Sequence, residues 1–201
     1  MGVEISCLYI REVRLKIMVE LPPGQMTAKR WNIYGALGTP KVNIDNWRLK
    51  ISGCVHNPIE LTYQDLLSLE QTKVRGGFHC VEGWSIIDVL WEGVKIKTIA
   101  EKVSYLQDSK WMIFRGIEGY SAPVPVEYAL SEDSIIAIKM NGRPLPLEHG
   151  FPARPIIPRL YAWKSVKWLT EIVFNQTYVD GYWEARGYHP RGDVWLEERR
   201  K

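Results

Sequence analysis

Cys80 is the residue whose type and setting point most directly to chemistry. It lies in Gly77-Phe78-His79-Cys80-Val81-Glu82-Gly83-Trp84-Ser85. A predicted strand ends there and a helix is predicted to start at Ser85. A thiolate is both a nucleophile and a soft metal ligand. A helix N-terminus and a neighbouring imidazole would favour it over the thiol. The commoner role of a cysteine is that of a small buried hydrophobe, and Cys7 and Cys54 are read that way. There is no CxxC pair, so zinc-ribbon and thioredoxin chemistry are not indicated. Three cysteines, an odd number, exclude a disulfide framework.

Three further clusters carry chemical side chains. His149-Gly150-Phe151-Pro152-Ala153-Arg154, running on to Pro158-Arg159, is a proline-punctuated loop with one imidazole and two guanidinium groups. The planar fork of arginine suits phosphate. Trp163-Lys164-Ser165-Val166-Lys167-Trp168 sets two lysines and a serine between aromatic rings, again suited to an anion. Trp183 to Asp193 is long, polar, glycine-rich and aromatic, and loops of that kind are often functional. Taken singly, each cluster also fits a solvated loop with its tryptophans in the core.

These residues must be positioned by elements that the sequence pattern suggests. Trp47 to Ile51 alternates apolar and polar residues and reads as a strand. Thr62 with Asp65 resembles a capping pair opening a helix through Leu69. Thr72 to Cys80 reads as a strand loosened by Gly76-Gly77, and Ser85 to Leu90 as a short helix capped by Ser85. Ile96 to Val103 reads as a second helix, Trp111 to Phe114 as a buried strand, and Val126 to Leu130 as a helical turn. Ser134 to Met140 is expected to pair with the next strand through Asn141-Gly142, a strong hairpin signal. Ile156-Ile157 and Leu169 to Phe174 are further strands. Without regular βαβ units this predicts an α+β fold of mixed β-sheets with short helices. Gly76-Gly77, Gly116 and Gly119 fit no common phosphate-loop spacing.

With 201 residues, 46% of them hydrophobic, the chain has enough apolar surface for a packed domain rather than disorder. Its 26 basic and 23 acidic side chains are too evenly balanced to argue for nucleic acid. No apolar run is long enough to span a membrane. The first 20 residues alternate apolar with charged and lack both a signal peptide and a twin-arginine pair. A cytoplasmic protein is therefore expected. Residues 1–27 are read as an N-terminal extension or edge element, broken off by Leu21-Pro22-Pro23-Gly24. Residues 28–201 are read as the main domain, with Glu197 to Lys201 a solvated tail.

Together the motifs resemble the molybdopterin-binding catalytic domain of the sulfite oxidase family, over roughly Trp31 to Trp195. They are the Phe78 to Ser85 stretch, Trp91-Glu92-Gly93-Val94, Met140-Asn141-Gly142-Arg143-Pro144-Leu145-Pro146, His149 to Arg154, and Lys164-Ser165-Val166-Lys167-Trp168-Leu169, in the family's order and spacing. The resemblance implies that family's fold and a molybdenum–molybdopterin cofactor. The metal-ligating cysteine falls on Cys80. His149 and Arg154 match pterin and phosphate contacts, and Ser165, Val166 and Lys167 match the segment that holds the cofactor. Asn32, Tyr34, Gly35 and Ala36 match another contacting loop, and Glu118 falls near a further contact position. Tyr188 matches the active-site tyrosine. Trp84, Trp168 and Trp183 are expected to pack the shell, although Trp183 could face the site.

The implied activity is transfer of one oxygen atom and two electrons at a cysteine-ligated oxo-molybdenum centre. A separate electron carrier such as a cytochrome is expected, with no haem domain and no dimerising sandwich domain. Two departures bear on the substrate. Arginines that surround the oxyanion in sulfite-oxidising members fall near Tyr34 and on Ser85. Arg186, His189 and Arg191 could replace the lost charge. The family's reductases of protein methionine sulfoxide carry twin-arginine signals that are not seen here. Sulfite-oxidase-like chemistry on a small oxyanion is the leading expectation. A reductase of sulfoxides or N-oxides at the same centre is the alternative, and a cofactor-free binding module is a third.

Overall fold

The computed structural model describes residues 20–201. Cys7 and the alternating start of the chain lie outside the described residues. In chain order the strands are β1 (Met26–Thr27), β2 (Leu49–Gly53), β3 (Ile59–Leu61), β4 (Thr72–His79), β5 (Trp84–Lys95), β6 (Trp111–Gly116), β7 (Ser121–Pro125), β8 (Ile135–Met140), β9 (Arg143–Pro144), β10 (Arg154–Ile156) and β11 (Leu169–Asn175). The helices are α1 (Tyr63–Ser68), α2 (Ile96–Val103) and α3 (Val126–Ala129). One sheet runs β1-β5-β8-β10, with β4 also on β5 and β9 also on β8. The other runs β3-β2-β11-β6-β7, where β2 and β11 are parallel and the remaining pairs antiparallel. This is the expected α+β class, with mixed sheets and short helices.

The main core lies between the sheets and follows from period-two alternation. β2 buries Leu49 and Ile51 and exposes Lys50. β11 contributes Ile172 and Phe174, β6 Met112 and Phe114, and α2 Ile96, Ile99, Ala100 and Val103. β8 is buried on both faces. Ile136 and Ile138 join the main core, while Ile135 and Ala137 pack with Val89, Trp91, Leu145 and Ile156. The local sequence signals hold where their interactions are local. Thr62 Oγ1 accepts from the Asp65 amide (3.0 Å) and Asp65 Oδ2 from the Thr62 amide (2.9 Å), a full capping box. Asn141 and Gly142 both have positive φ (52° and 77°), as a two-residue hairpin requires. No helix among the described residues is long and apolar enough to cross a membrane.

Two expectations are overturned, and one strand lies where none was read. Ser85 to Leu90 is the first half of β5, not a helix, and it pairs with β4 on one side and β1 on the other. A short apolar run such as Ile86-Ile87 with Val89-Leu90 fits either period, and strand pairing decides it. β7, with Pro123 and Pro125, was not expected as a strand. It lies at the edge of its sheet, where a missing amide is tolerated. The C-terminal residues are not a solvated tail. The Lys201 amide donates to Gly187 O (3.0 Å), Arg200 bridges Tyr188, and the Arg199 guanidinium bonds the carbonyls of Val81 and Gly24. Met26–Thr27, from the segment read as extension or edge element, forms an edge strand against Trp84–Ser85.

Candidate active site

One cavity of about 360 Å³ gathers most of the residues singled out from the sequence. Asn32, Tyr34, Gly35, Ala36, Cys80, Glu118, His149, Arg154, Ser165, Lys167 and Tyr188 all line it. They come from loops at strand ends, the usual place for sites on a rigid scaffold. Four other candidates are not on its wall. Val166 is buried in the main core. Arg186 donates to Tyr182 O (2.6 Å) and lies 3.8 Å over the Tyr182 ring. Arg191 pairs with Glu198, and His189 Nδ1 accepts from the Arg191 and Gly192 amides (3.2 Å each). Trp84, Trp168 and Trp183, expected as shell, line the cavity too, as do the unforeseen Phe78, Tyr120 and Glu82.

Cys80 sits in a tight turn between β4 and β5. Its amide donates to Trp84 O (2.8 Å), and the Gly83 amide donates to Cys80 O (3.1 Å). Gly83 has φ 92°, a conformation that suits glycine. The expected helix N-terminus is absent because β5 begins there. Burial pushes the thiol up, opposed by the backbone amides of Glu82 and Val81. His79 is no cationic neighbour either. It is buried, its Nδ1 lies 2.7 Å from Ser85 Oγ, and desolvation holds it at about 4.

His149, Arg154 and Lys167 crowd one corner. Arg154 is buried and donates from Nε to Ser165 Oγ (2.9 Å), from Nη1 to His149 O (2.8 Å) and from Nη2 to Ser165 O (2.8 Å). Phe78 lies under its guanidinium at 4.9 Å. Two of its five N–H donors remain unassigned by these bonds. Burial lowers Arg154 to about 9. Burial and then the Arg154 charge lower Lys167 to about 8, and the same two causes lower His149. Neither Arg154 nor Lys167 has an ion-pair partner among the described residues. Like charges held together in this way favour an anion between them. Lys164, grouped with Lys167 from the sequence, points elsewhere. It is fully buried and bonds Glu184 Oε1 (2.6 Å), Pro123 O (2.7 Å) and Pro190 O.

Two polar atoms on the cavity wall are buried without a partner among the described residues: Trp84 Nε1 and Glu118 Oε2. Burial pushes the Glu118 carboxyl up to about 7, opposed by Lys167. Tyr188 is buried, stacked on Trp183 (4.9 Å, 21°) and edge-on to Trp163 (5.0 Å, 81°). Burial raises its hydroxyl pKa, opposed by Arg200, whose guanidinium lies 4.2 Å over the ring. Val81, next to Cys80, packs on the same aromatic cluster, and Tyr34 lies 6.3 Å from Trp183, so Cys80, Tyr34 and Tyr188 share one end of the cavity.

A family model described as "Oxidoreductase molybdopterin binding domain" matches residues 36–183. The chain is 36% identical over 180 residues to the uncharacterized oxidoreductase YuiH of Bacillus subtilis (strain 168), covering 89% of this chain and 91% of that protein. It is 30% identical over 156 residues to a putative protein-methionine-sulfoxide reductase subunit, YedZ1, of Azospira oryzae, covering 78% of this chain and 59% of that protein. Its fold is like that of the sulfane dehydrogenase SoxCD from Paracoccus pantotrophus, with a TM-score of 0.66 and 22% identity over 71% of this chain and 41% of that one.

Proposed function

The chain belongs to the oxidoreductase molybdopterin binding domain family and is therefore an oxidoreductase built around a molybdenum–pterin cofactor; from that premise we propose that its substrate is a neutral sulfoxide or N-oxide rather than sulfite. The residues present fit the cofactor. Among the described residues no three His, Cys, Asp or Glu side chains converge as a metal site. A metal at Cys80 must therefore bring its other ligands with it, as a dithiolene pterin does, and a thiolate is a suitably soft donor. His149, Arg154 and Lys167 would hold the cofactor's phosphate. Trp84 Nε1 and the Glu118 carboxyl, both without a partner among the described residues, offer hydrogen bonds to the polar edges of the pterin.

When bound, the cofactor supplies two-electron, oxygen-atom-transfer chemistry. The protein's own residues decide what reaches it. Tyr188 donates its hydroxyl proton in a hydrogen bond to the substrate oxygen. Trp183 and Tyr34 wall the substrate with aromatic faces. Reduction of a sulfoxide consumes two electrons and two protons and releases the sulfide and water, with the electrons coming from a separate carrier such as a cytochrome. What supports this reading above all is the charge at the Cys80–Tyr188 end. Of the two positions expected to be arginine in sulfite oxidation, one falls near the exposed Tyr34 and the other on a fully buried serine, Ser85. Arg186 and Arg191 are engaged outside the cavity. Arg200 lies 4.2 Å over the Tyr188 ring and Arg199 behind the Cys80 turn, but neither is on the cavity wall; an oxyanion would meet no guanidinium on the wall at that end, whereas a neutral S=O needs only one donor.

The test compares two steady-state assays of the molybdenum-loaded enzyme: a dialkyl sulfoxide with reduced dye, and sulfite with an artificial acceptor. Turnover with the sulfoxide and little or none with sulfite is expected. The reverse preference overturns the reading.

A further inference from the structure

The Cys80 turn is held from outside the family match of residues 36–183. Gln25 is buried, and its Nε2 donates to Cys80 O (3.0 Å). Its Oε1 accepts from Ser85 Oγ (2.8 Å). Since the Ser85 hydroxyl proton is used there, Ser85 Oγ must accept from His79 Nδ1–H at 2.7 Å. The result is a directed chain through side chains flanking the cysteine: His79 to Ser85, Ser85 to Gln25, Gln25 to the Cys80 carbonyl. The Met26 amide donates to Gly83 O (2.8 Å) and fastens the far end of the turn to the same segment. Arg199 closes the arrangement. Its guanidinium donates to Val81 O and, at 3.2 Å, to Gly24 O, and it lies 5.5 Å over the Tyr161 ring. Arg199 O also accepts from the His189 amide (3.3 Å), next to Tyr188.

We infer that Gln25 and Arg199 are positioning residues, which hold the Cys80–Gly83 turn so that the thiol is presented in place before the cofactor arrives. This rests on Cys80 being the metal ligand. The turn has two internal backbone bonds of its own, and a ligand-bearing loop needs its supporting contacts to hold a productive geometry to within about 0.5 Å. Neither residue touches the cofactor's place directly. Gln25 and Arg199 are absent from the cavity wall, whereas Cys80 and Val81 are on it. They act through the backbone of residues 80 and 81, and Arg199 also by its charge, which favours the Cys80 thiolate. Through Arg199 the same clamp ties the thiol-bearing turn to the Tyr188 loop.

The test uses the full chain in a Cys7→Ser, Cys54→Ser background, so that Cys80 is the only thiol. Gln25→Met keeps size and removes both hydrogen bonds; Arg199→Met removes the second tether. Leu66→Ala, in α1 away from the turn, serves as a control destabilised at least as much. The first readout is the pH-independent rate at which the Cys80 thiolate of the cofactor-free protein reacts with a disulfide reagent, taken from the plateau of the pH profile so that loss of the Arg199 charge does not enter. A rise of about fivefold is expected in each clamp variant, the order expected when one net hydrogen bond is lost from a local opening equilibrium. The second readout is the electron paramagnetic resonance of molybdenum(V) in the loaded protein, which reports the ligand geometry. Altered g-values are expected in both clamp variants and unaltered ones in Leu66→Ala. If a folded clamp variant leaves either readout unchanged, or Leu66→Ala moves both as far, the inference is overturned. Should Gln25→Met fail to fold, Arg199→Met at the more exposed site carries the decision. Cys80→Ser separates the two ideas: if it keeps the wild-type molybdenum(V) spectrum, the ligand assignment fails and the thiol kinetics alone judge the clamp.

Discussion

Lys164 and Glu184 form a buried ion pair, Nζ to Oε1 2.6 Å, with both side chains at most 1% exposed. Trp163 Nε1 donates to the same carboxylate oxygen (2.9 Å), and Lys164 also bonds carbonyls of β7 and of the loop after Tyr188. The pair therefore pins the Trp183–Tyr188 loop to the rigid sheet. Removing one partner strands a charge in the core. Lys164→Met is expected to lose about 3–5 kcal/mol of stability, while Lys164→Met with Glu184→Gln recovers most of it. Urea denaturation measures both. Equal losses in the single and double variants would show that lost packing, not the stranded charge, sets the cost.

Glu118 should make stability depend on pH. Its carboxyl is raised to about 7 in the folded protein from an ordinary 4.5. Between those values the folded state holds a proton that the unfolded chain has released, so stability falls as pH rises through this window. Glu118→Gln cannot ionise. Cofactor-free wild type and variant are expected to melt at similar temperatures at pH 4, with the variant melting higher at pH 8. A variant that melts lower at pH 8 would mean that attraction to Lys167 outweighs desolvation.

Gly77 is required by a neighbour two residues on. A Cβ there would lie 2.5 Å from His79 Cε1. Gly77→Ala must displace the imidazole that bonds Ser85, at a cost of about 1–3 kcal/mol for overpacking. Thermal melting measures the loss. Unchanged melting, together with an unchanged thiol reaction rate at Cys80, would show that the ring moves freely and that its bond to Ser85 is dispensable.

Arg154→Lys tests whether fork geometry or charge holds the anion corner. Lysine keeps the positive charge but cannot reach Ser165 Oγ, Ser165 O and His149 O together, as the guanidinium does. Molybdenum content per purified chain is expected to drop at least tenfold in a host that makes the pterin, alongside a lower melting temperature. Full molybdenum content would assign the corner's role to Lys167 and His149 alone.

Much of the site was legible because its residue types are specific: one thiol in a glycine-rich turn, then arginine, histidine and lysine in loops without periodicity. The capping box at Thr62 and the hairpin at Asn141-Gly142 were legible because each is settled within four residues. Lys164 and Lys167 show the limit. They are three residues apart with the same chemistry, yet one turns into the core toward Glu184 and the other toward the cavity. No local pattern separates them, because the carboxylate that captures Lys164 lies twenty residues on.

The sequence by itself determined the strand periods, the α+β class, the lone cysteine fit for a soft metal, and the cationic side chains fit for a phosphate. These follow from residue type and near-neighbour spacing. Only the tertiary structure decided that Ser85 to Leu90 is strand, since pairing with β1 and β4 outweighs a local helical pattern. It also turned Arg186, His189 and Arg191 away from the cavity and folded the last residues back onto the Cys80 turn. The reason is distance along the chain: Gln25 and Cys80 are 55 residues apart and Arg199 and Val81 are 118 apart, so their bonds exist only after the sheets have brought both ends together.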